Sequence, residues 1–147
     1  MGHLGPTGVR PRTVVDAAGL ERFALLALSG GAAIAIRYAA RHPWRVSHLL
    51  TLGGFARGLL HRRARARASR TLDALCRLVE DGWGQDNPAF RQLFTSQMFP
   101  GANAQQSRSF NELQRVACSP QEAASLQRHV ADFDATADLC DVRCPTL

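Results

Sequence analysis

One junction constrains this chain more than any other. Residues 23–28 (FALLAL) form a continuous apolar run of strand length, and Ser29-Gly30-Gly31 breaks it abruptly. An uninterrupted apolar run of this kind predicts a strand buried on both faces, as in a parallel sheet. Residues 32–40 follow, rich in Ala and Ile, and read as a helix that His42-Pro43 ends. Residues 46–52 (VSHLLTL) predict a second strand, closed by Gly53-Gly54. Strand, turn, helix and strand within about 30 residues is the size of a βαβ unit. The expected fold class is therefore α/β, with parallel strands.

The flanks read differently. Residues 1–12 (MGHLGPTGVRPR) are rich in Gly and Pro and predict a loose lead-in. Val14, Val15, Ala18 and Leu20 mark a short helical stripe after Thr13. From residue 55 to 139 the texture is helical. Leu72, Leu75, Cys76 and Val79 define one amphipathic helix, stopped by Gly82. Asn87-Pro88 opens another, with Phe90, Leu93, Phe94 and Met98 as its apolar stripe. Phe110, Leu113 and Val116 mark a third. Ser119-Pro120-Gln121-Glu122 is a capping box opening a fourth, through Leu126 and Val130. Residues 140–147 look like the entry to a further strand.

Length and composition narrow the class. At 147 residues with 46% apolar side chains, the chain suits one packed domain. No run of 18 apolar residues predicts a transmembrane helix, and no basic-then-apolar opening predicts a secretory leader. Four scattered cysteines do not make a disulfide scaffold, so free buried thiols in a reducing cytoplasm are the expectation. The net charge is +6, and all 18 basic residues are Arg.

The chemically loaded position is Ser29. A serine between a buried strand and a small-residue helix is the context of a nucleophile elbow. Such a turn is tight, so small residues are expected two places either side, and Ala27 and Gly31 meet that need. The strain would lift the hydroxyl toward a partner base, and the Gly30 N–H at the helix start would face a developing oxyanion. The competing reading is a Gly-rich turn with an ordinary helix N-cap serine, and this segment alone leaves the two about even.

A family likeness enters here. Residues 14–26 (VVDAAGLERFALL) resemble the helix and strand leading to the nucleophile in the α/β-hydrolase superfamily. Residues 29–43 (SGGAAIAIRYAARHP) resemble its elbow and following helix, and residues 45–50 (RVSHLL) the next strand. The helical stretch 55–139 resembles the inserted lid, and residues 142–147 (VRCPTL) the start of the strand leading to the catalytic acid. The likeness lies nearest the esterase, lactonase and haloperoxidase-like branch. It implies Ser29 as nucleophile, Gly30 as oxyanion donor, and an ester-like acyl substrate with no cofactor. It also implies that the acid, the histidine and the strands before the nucleophile fall outside these 147 residues, so the domain is partial.

Other residues weigh less. His42 ends a helix, where a cationic imidazole would suit the dipole. His48 lies in a strand as a packing residue, His61 in an Arg-rich segment, and His129 in a lid helix; with His3, none is marked as the base. Asp132, Asp134 and Asp138 are expected to cap or solvate helices. Arg57, Arg62, Arg63, Arg65, Arg67 and Arg70 read as a solvated face, because no aromatic platform interleaves with them. Neither nucleic acid nor membrane is an expected partner. Cys140 and Cys144 lack the companions a metal site needs, and no metal is expected. Phe90, Phe94, Met98 and Phe110 are core by spacing, with a pocket role under a lid as their second reading.

Two functions follow. The first is a serine hydrolase, incomplete and weakly active or inactive as an isolated chain. The second is a non-catalytic, truncated hydrolase-like interaction or regulatory module. Two strands and a stub cannot cover their own apolar faces, so Leu25, Leu26, Leu49 and Leu50 predict self-association through unpaired edges.

Overall fold

A computed structural model describes residues 11–62 and 64–147. The expected lead-in at residues 1–10, with His3, and Arg63 lie outside the described residues. Pro11 and Arg12 already belong to the first helix. The chain divides into two compact units, residues 1–57 with 133–147, and residues 58–132. These limits fall a few residues inside the 55–139 span expected for the helical insert, because Phe133 and Ala135 pack with the strands.

The strand unit runs α1 (Pro11–Ala17), β1 (Phe23–Leu28), α2 (Gly31–Arg41) and β2 (Val46–Leu52). A 3₁₀ helix (Thr136–Asp141) and the terminal residues complete it. β1 and β2 are parallel, with Leu26 beside Leu50 and Leu28 beside Leu52. On the other side of β2, Thr146 bridges Leu49 in parallel. The Leu49 N–H donates to the Pro145 carbonyl at 2.9 Å, and the Leu147 N–H to the Leu49 carbonyl at 3.0 Å. Residues 145–147 thus lie along the free edge of β2 as an isolated bridge, outside the two-stranded sheet.

The helix α2 lies against one face of this sheet. Its Ala32, Ala33, Ala35 and Ala39 are short enough to bring the helix backbone close to Ala27, Val46 and Leu49. Period-two alternation then sends Ala24, Leu26 and Leu28 to the opposite face. There Leu26 is 63% exposed and Leu52 69%. Burial of β1 on both faces, expected from its unbroken apolar run, is therefore not what the structure has: one helix covers one face. Leu49 is buried, Leu25 and Leu50 are half-buried, and of the four leucines named above Leu26 is the exposed one.

Two clamps tie the helices down. Arg37 of α2 donates from Nε to Asp138 Oδ2 at 2.9 Å and stacks 4.4 Å above the Phe133 ring. Arg45 bonds both the Asp16 carboxylate and the Leu20 carbonyl. The Arg45 hydrogen bond is the main reason the Asp16 carboxyl is held below the usual carboxylate range.

The helical unit contains α3 (Leu59–Arg62), α4 (Arg65–Gly82), α5 (Ala89–Met98), α6 (Ala104–Ala117) and α7 (Pro120–Asp132). Leu72, Cys76 and Val79 of α4 meet Ala123, Ala124 and Ala131 of α7 in a common core. The Ser119–Glu122 box forms as the sequence predicts, with the Ser119 N–H donating to Glu122 Oε2 at 2.8 Å. Pro88 is the N-cap of α5 and not its first residue, and the Asn87 side chain accepts from the Ala89 N–H at 3.0 Å. α4 ends at Gly82, as the sequence predicts, and a Cβ there would run into the Phe90 ring.

The largest departure is α6. Phe110, Leu113 and Val116 were expected to face a core, yet Leu113 is 56% and Val116 63% exposed. Asn111 and Gln114 face inward instead, because α5 presents Thr95 and Gln92 to them. Gln114 Nε2 donates to Thr95 Oγ1 at 2.8 Å, and Asn111 Nδ2 to Gln92 Oε1 at 2.7 Å. A buried polar seam whose members satisfy one another holds this helix pair.

Candidate functional site: the turn at Ser29

Ser29 is the one described non-glycine residue with a positive φ, 49°. An L-residue there crowds its Cβ against the backbone, so such a conformation persists only where the surroundings over-determine it. Two hydrogen bonds do so here. The Ser29 N–H donates to the Leu52 carbonyl at 2.9 Å, and the Ala32 N–H donates to the Ser29 carbonyl at 3.1 Å. The first fixes the serine to the end of β2. The second closes the turn into α2.

The N-cap of α2 is Gly30, with φ −60° and ψ −21°, and no side chain caps the helix. The reading of Ser29 as an ordinary N-cap serine is thereby set aside. Ser29 and Gly30 are each half-buried. Among the described residues, Ser29 Oγ makes no hydrogen bond, so the hydroxyl is uncommitted. Ala27 is 7% exposed, a small side chain in the core below the turn. A Cβ at Gly31, by contrast, would meet no described atom within 4 Å beyond its chain neighbours. The steric demand expected at Gly31 falls elsewhere, on Gly54, where a Cβ would come 2.5 Å from Ala32 Cβ. The doublet Gly53-Gly54 was legible in the sequence only as a strand end.

An open cleft of about 350 Å³ adjoins the first turn of α2. It is lined by Ala32, Ile36, Leu49, Thr51, Gly54 and Val142 among others, so its walls are largely apolar.

The histidines of the strand unit stand away from Ser29. His48 pairs with Ala24, five residues back along β1, so it lies about 16 Å from the turn at the usual strand rise. It is exposed, not the packing residue expected. His42 caps the far end of α2, again roughly 16 Å away by helix rise. Burial first, and then Arg12, Arg45 and Arg41, push its pKa below the ordinary histidine value. A neutral imidazole is favoured there, not the cation expected from the helix dipole. In the helical unit, His61 Nε2 lies 2.8 Å from the Asp132 carbonyl and His129 Nδ1 2.7 Å from the Ser125 carbonyl.

The four side chains considered for an acyl pocket all lie in the helical unit. Phe94 packs edge-on against Trp83, with ring centroids 5.4 Å apart, and Phe110 does so against Phe99 at 4.8 Å. Phe90 covers Gly82, and Met98 is 58% exposed. Of the aspartates, Asp134 caps the 3₁₀ helix through the Thr136 N–H at 2.9 Å, and Asp138 anchors Arg37. Arg65, Arg67 and Arg70 are exposed along α4.

All four cysteines are free. Cys76 is buried and Cys118 and Cys144 half-buried, but Cys140 is exposed, against the expectation of buried thiols. Burial pushes the Cys76 and Cys118 thiols up. Among the described residues no three His, Cys, Asp or Glu side chains gather as metal ligands would, and no helix is long and apolar enough to cross a membrane.

Comparison with solved structures places the fold. The chain is similar to MGS-M2, an alpha/beta hydrolase enzyme from a Medee basin deep-sea metagenome library, with a TM-score of 0.64 and 16% identity. The match covers 92% of this chain and 49% of that one. A second similar structure is DBJA, with a TM-score of 0.48 and 14% identity, covering 89% of this chain and 49% of that one. No protein-family model and no curated protein matches. The likeness to MGS-M2 shows a partial α/β-hydrolase fold, and the chain spans about half the length of that structure.

Proposed function

We propose that this chain carries the nucleophile of a serine hydrolase acting on an ester- or lactone-type acyl substrate. The observation that carries the reading is Ser29 itself, a strained, half-buried serine with an uncommitted hydroxyl between a parallel strand and a helix start. In this reading the turn is a nucleophile elbow. Ser29 Oγ attacks the acyl carbon, its proton passes to a base, and the alcohol leaves with a proton. The Gly30 N–H, at an uncapped helix N-terminus, donates to the oxyanion, and water then releases the acid. The base is an imidazole paired to a carboxylate, both supplied from outside this chain, which leaves the isolated chain weakly active or inactive. The helical unit, in the same reading, is the lid.

The test is acyl trapping. After incubation with an excess of p-nitrophenyl acetate and acid quench, the expected result is a slow acetyl adduct at Ser29, absent from Ser29→Ala. Acetylation spread equally over other serines would refute it.

A second reading is supported by one observation. Leu26 and Leu52 are 63% and 69% exposed on the sheet face away from α2. In that reading the chain is a non-catalytic module that self-associates through this face, with a second copy as its partner. Light scattering would then show a dimer or larger species that Leu26→Glu dissociates; a monomer at all concentrations would count against it.

A further inference from the structure

We infer that Gly54 is a positioning residue for the Ser29 turn, through direct contact with Ala32. The inference draws its catalytic meaning from the reading of Ser29 as nucleophile, while its geometry stands by itself. Two connections join the end of β2 to the start of α2. The Leu52 carbonyl accepts the Ser29 N–H at 2.9 Å. Two residues on, Gly54 lies so close to α2 that a Cβ there would sit 2.5 Å from Ala32 Cβ and 3.2 Å from Thr51 Cβ.

Carbon atoms do not approach to 2.5 Å, and Ala32 cannot rotate its Cβ away. A side chain at 54 therefore moves one backbone or the other. Ala32 is no neutral bystander: its N–H closes the turn onto the Ser29 carbonyl at 3.1 Å. Pushing Ala32 outward lengthens that bond and lets Ser29 leave its φ of 49°. Gly53, at φ +59°, makes the bend that brings residue 54 under the helix. The Gly-Gly pair thus divides its work, one glycine for conformation and the other for clearance.

A rescue series tests this with the full chain: Gly54→Ala, Ala32→Gly and the double variant, followed by amide NMR and hydrogen exchange. In Gly54→Ala the Ser29, Gly30 and Ala32 resonances are expected to move well beyond those of residues 37–41. Exchange at the Ala32 N–H should quicken about tenfold. The double variant, lacking the colliding Cβ, should restore both. Should Gly54→Ala fail to fold, a folded double variant with native Ser29 resonances would support the contact. Unmoved resonances in Gly54→Ala, or a double variant that does not recover, would overturn it. Fluorophosphonate labelling of the same four sequences, each carried in a longer protein that supplies the histidine and acid, separates the two readings. Resonances that shift and recover with no labelling of Ser29 in any of them would retain the positioning role and remove the nucleophile.

Discussion

Replacing Ser29 by glycine should make the protein more stable, which is unusual for a change in a half-buried residue. At φ 49° the serine carries a steric cost of about 1–2 kcal/mol that glycine escapes. Glycine gives back about 0.5–1 kcal/mol, because it is freer in the unfolded chain. Removing the hydroxyl itself adds little, since no described residue bonds it. Ser29→Ala keeps the Cβ and the strain, so it is the proper reference. The difference between the two variants should be roughly 0.5–1 kcal/mol in favour of glycine, or about 1–4 °C in melting temperature. Urea melts at constant m-value would measure it. Gly53 supplies the converse. It holds φ +59° with open space around a Cβ, so Gly53→Ala should cost about 1 kcal/mol through backbone strain alone. A glycine variant of Ser29 less stable than the alanine variant would refute the claim that the turn holds stored strain.

Other perturbations follow from the packing. Arg91 is 2% exposed and donates to the Trp83 and Gln85 carbonyls beyond the end of α4, so Arg91→Met should cost about 2–3 kcal/mol in urea melts. Asp138→Asn should cost only about 0.5–1 kcal/mol, since its ion pair with Arg37 is partly screened; high salt should shrink the difference. His42 has a folded pKa below its unfolded value near 6.5, so the unfolded chain binds the proton more readily. Its contribution is present above about pH 6.5 and fades as pH falls through the lower folded value, and His42→Gln should flatten that part of the stability–pH curve.

The strands were legible because their signals are local. FALLAL and VSHLLTL are short apolar runs closed by Ser29-Gly30 and Gly53-Gly54, and both strands end where those residues say. The box at Ser119–Glu122 is likewise a four-residue pattern. A second box, Asn103 with Gln106, was equally local and went unread; the Gln106 N–H donates to Asn103 Oδ1 at 2.9 Å. What the sequence hid is tertiary. Helical spacing marks Leu113 and Val116 as one stripe, but only the polar face of α5 decides that Asn111 and Gln114 turn inward. An Arg reads as surface until the carbonyls at a helix end draw it in, as at Arg91. The turn at Ser29 is legible from its setting between strand and helix. Gly54 is not, because its constraint is a neighbour 22 residues away in sequence, Ala32.

The nucleophilic role of Ser29 is tested most directly by fluorophosphonate labelling followed by trypsin and mass spectrometry. Cleavage after Arg22 and Arg37 yields residues 23–37, in which Ser29 is the single serine. In a longer protein that carries this chain together with the histidine and acid, the account predicts the phosphonyl mass on that peptide at a rate about tenfold or more above any other serine peptide, and its loss in Ser29→Ala. Labelling of that peptide no faster than the exposed serines elsewhere would contradict it.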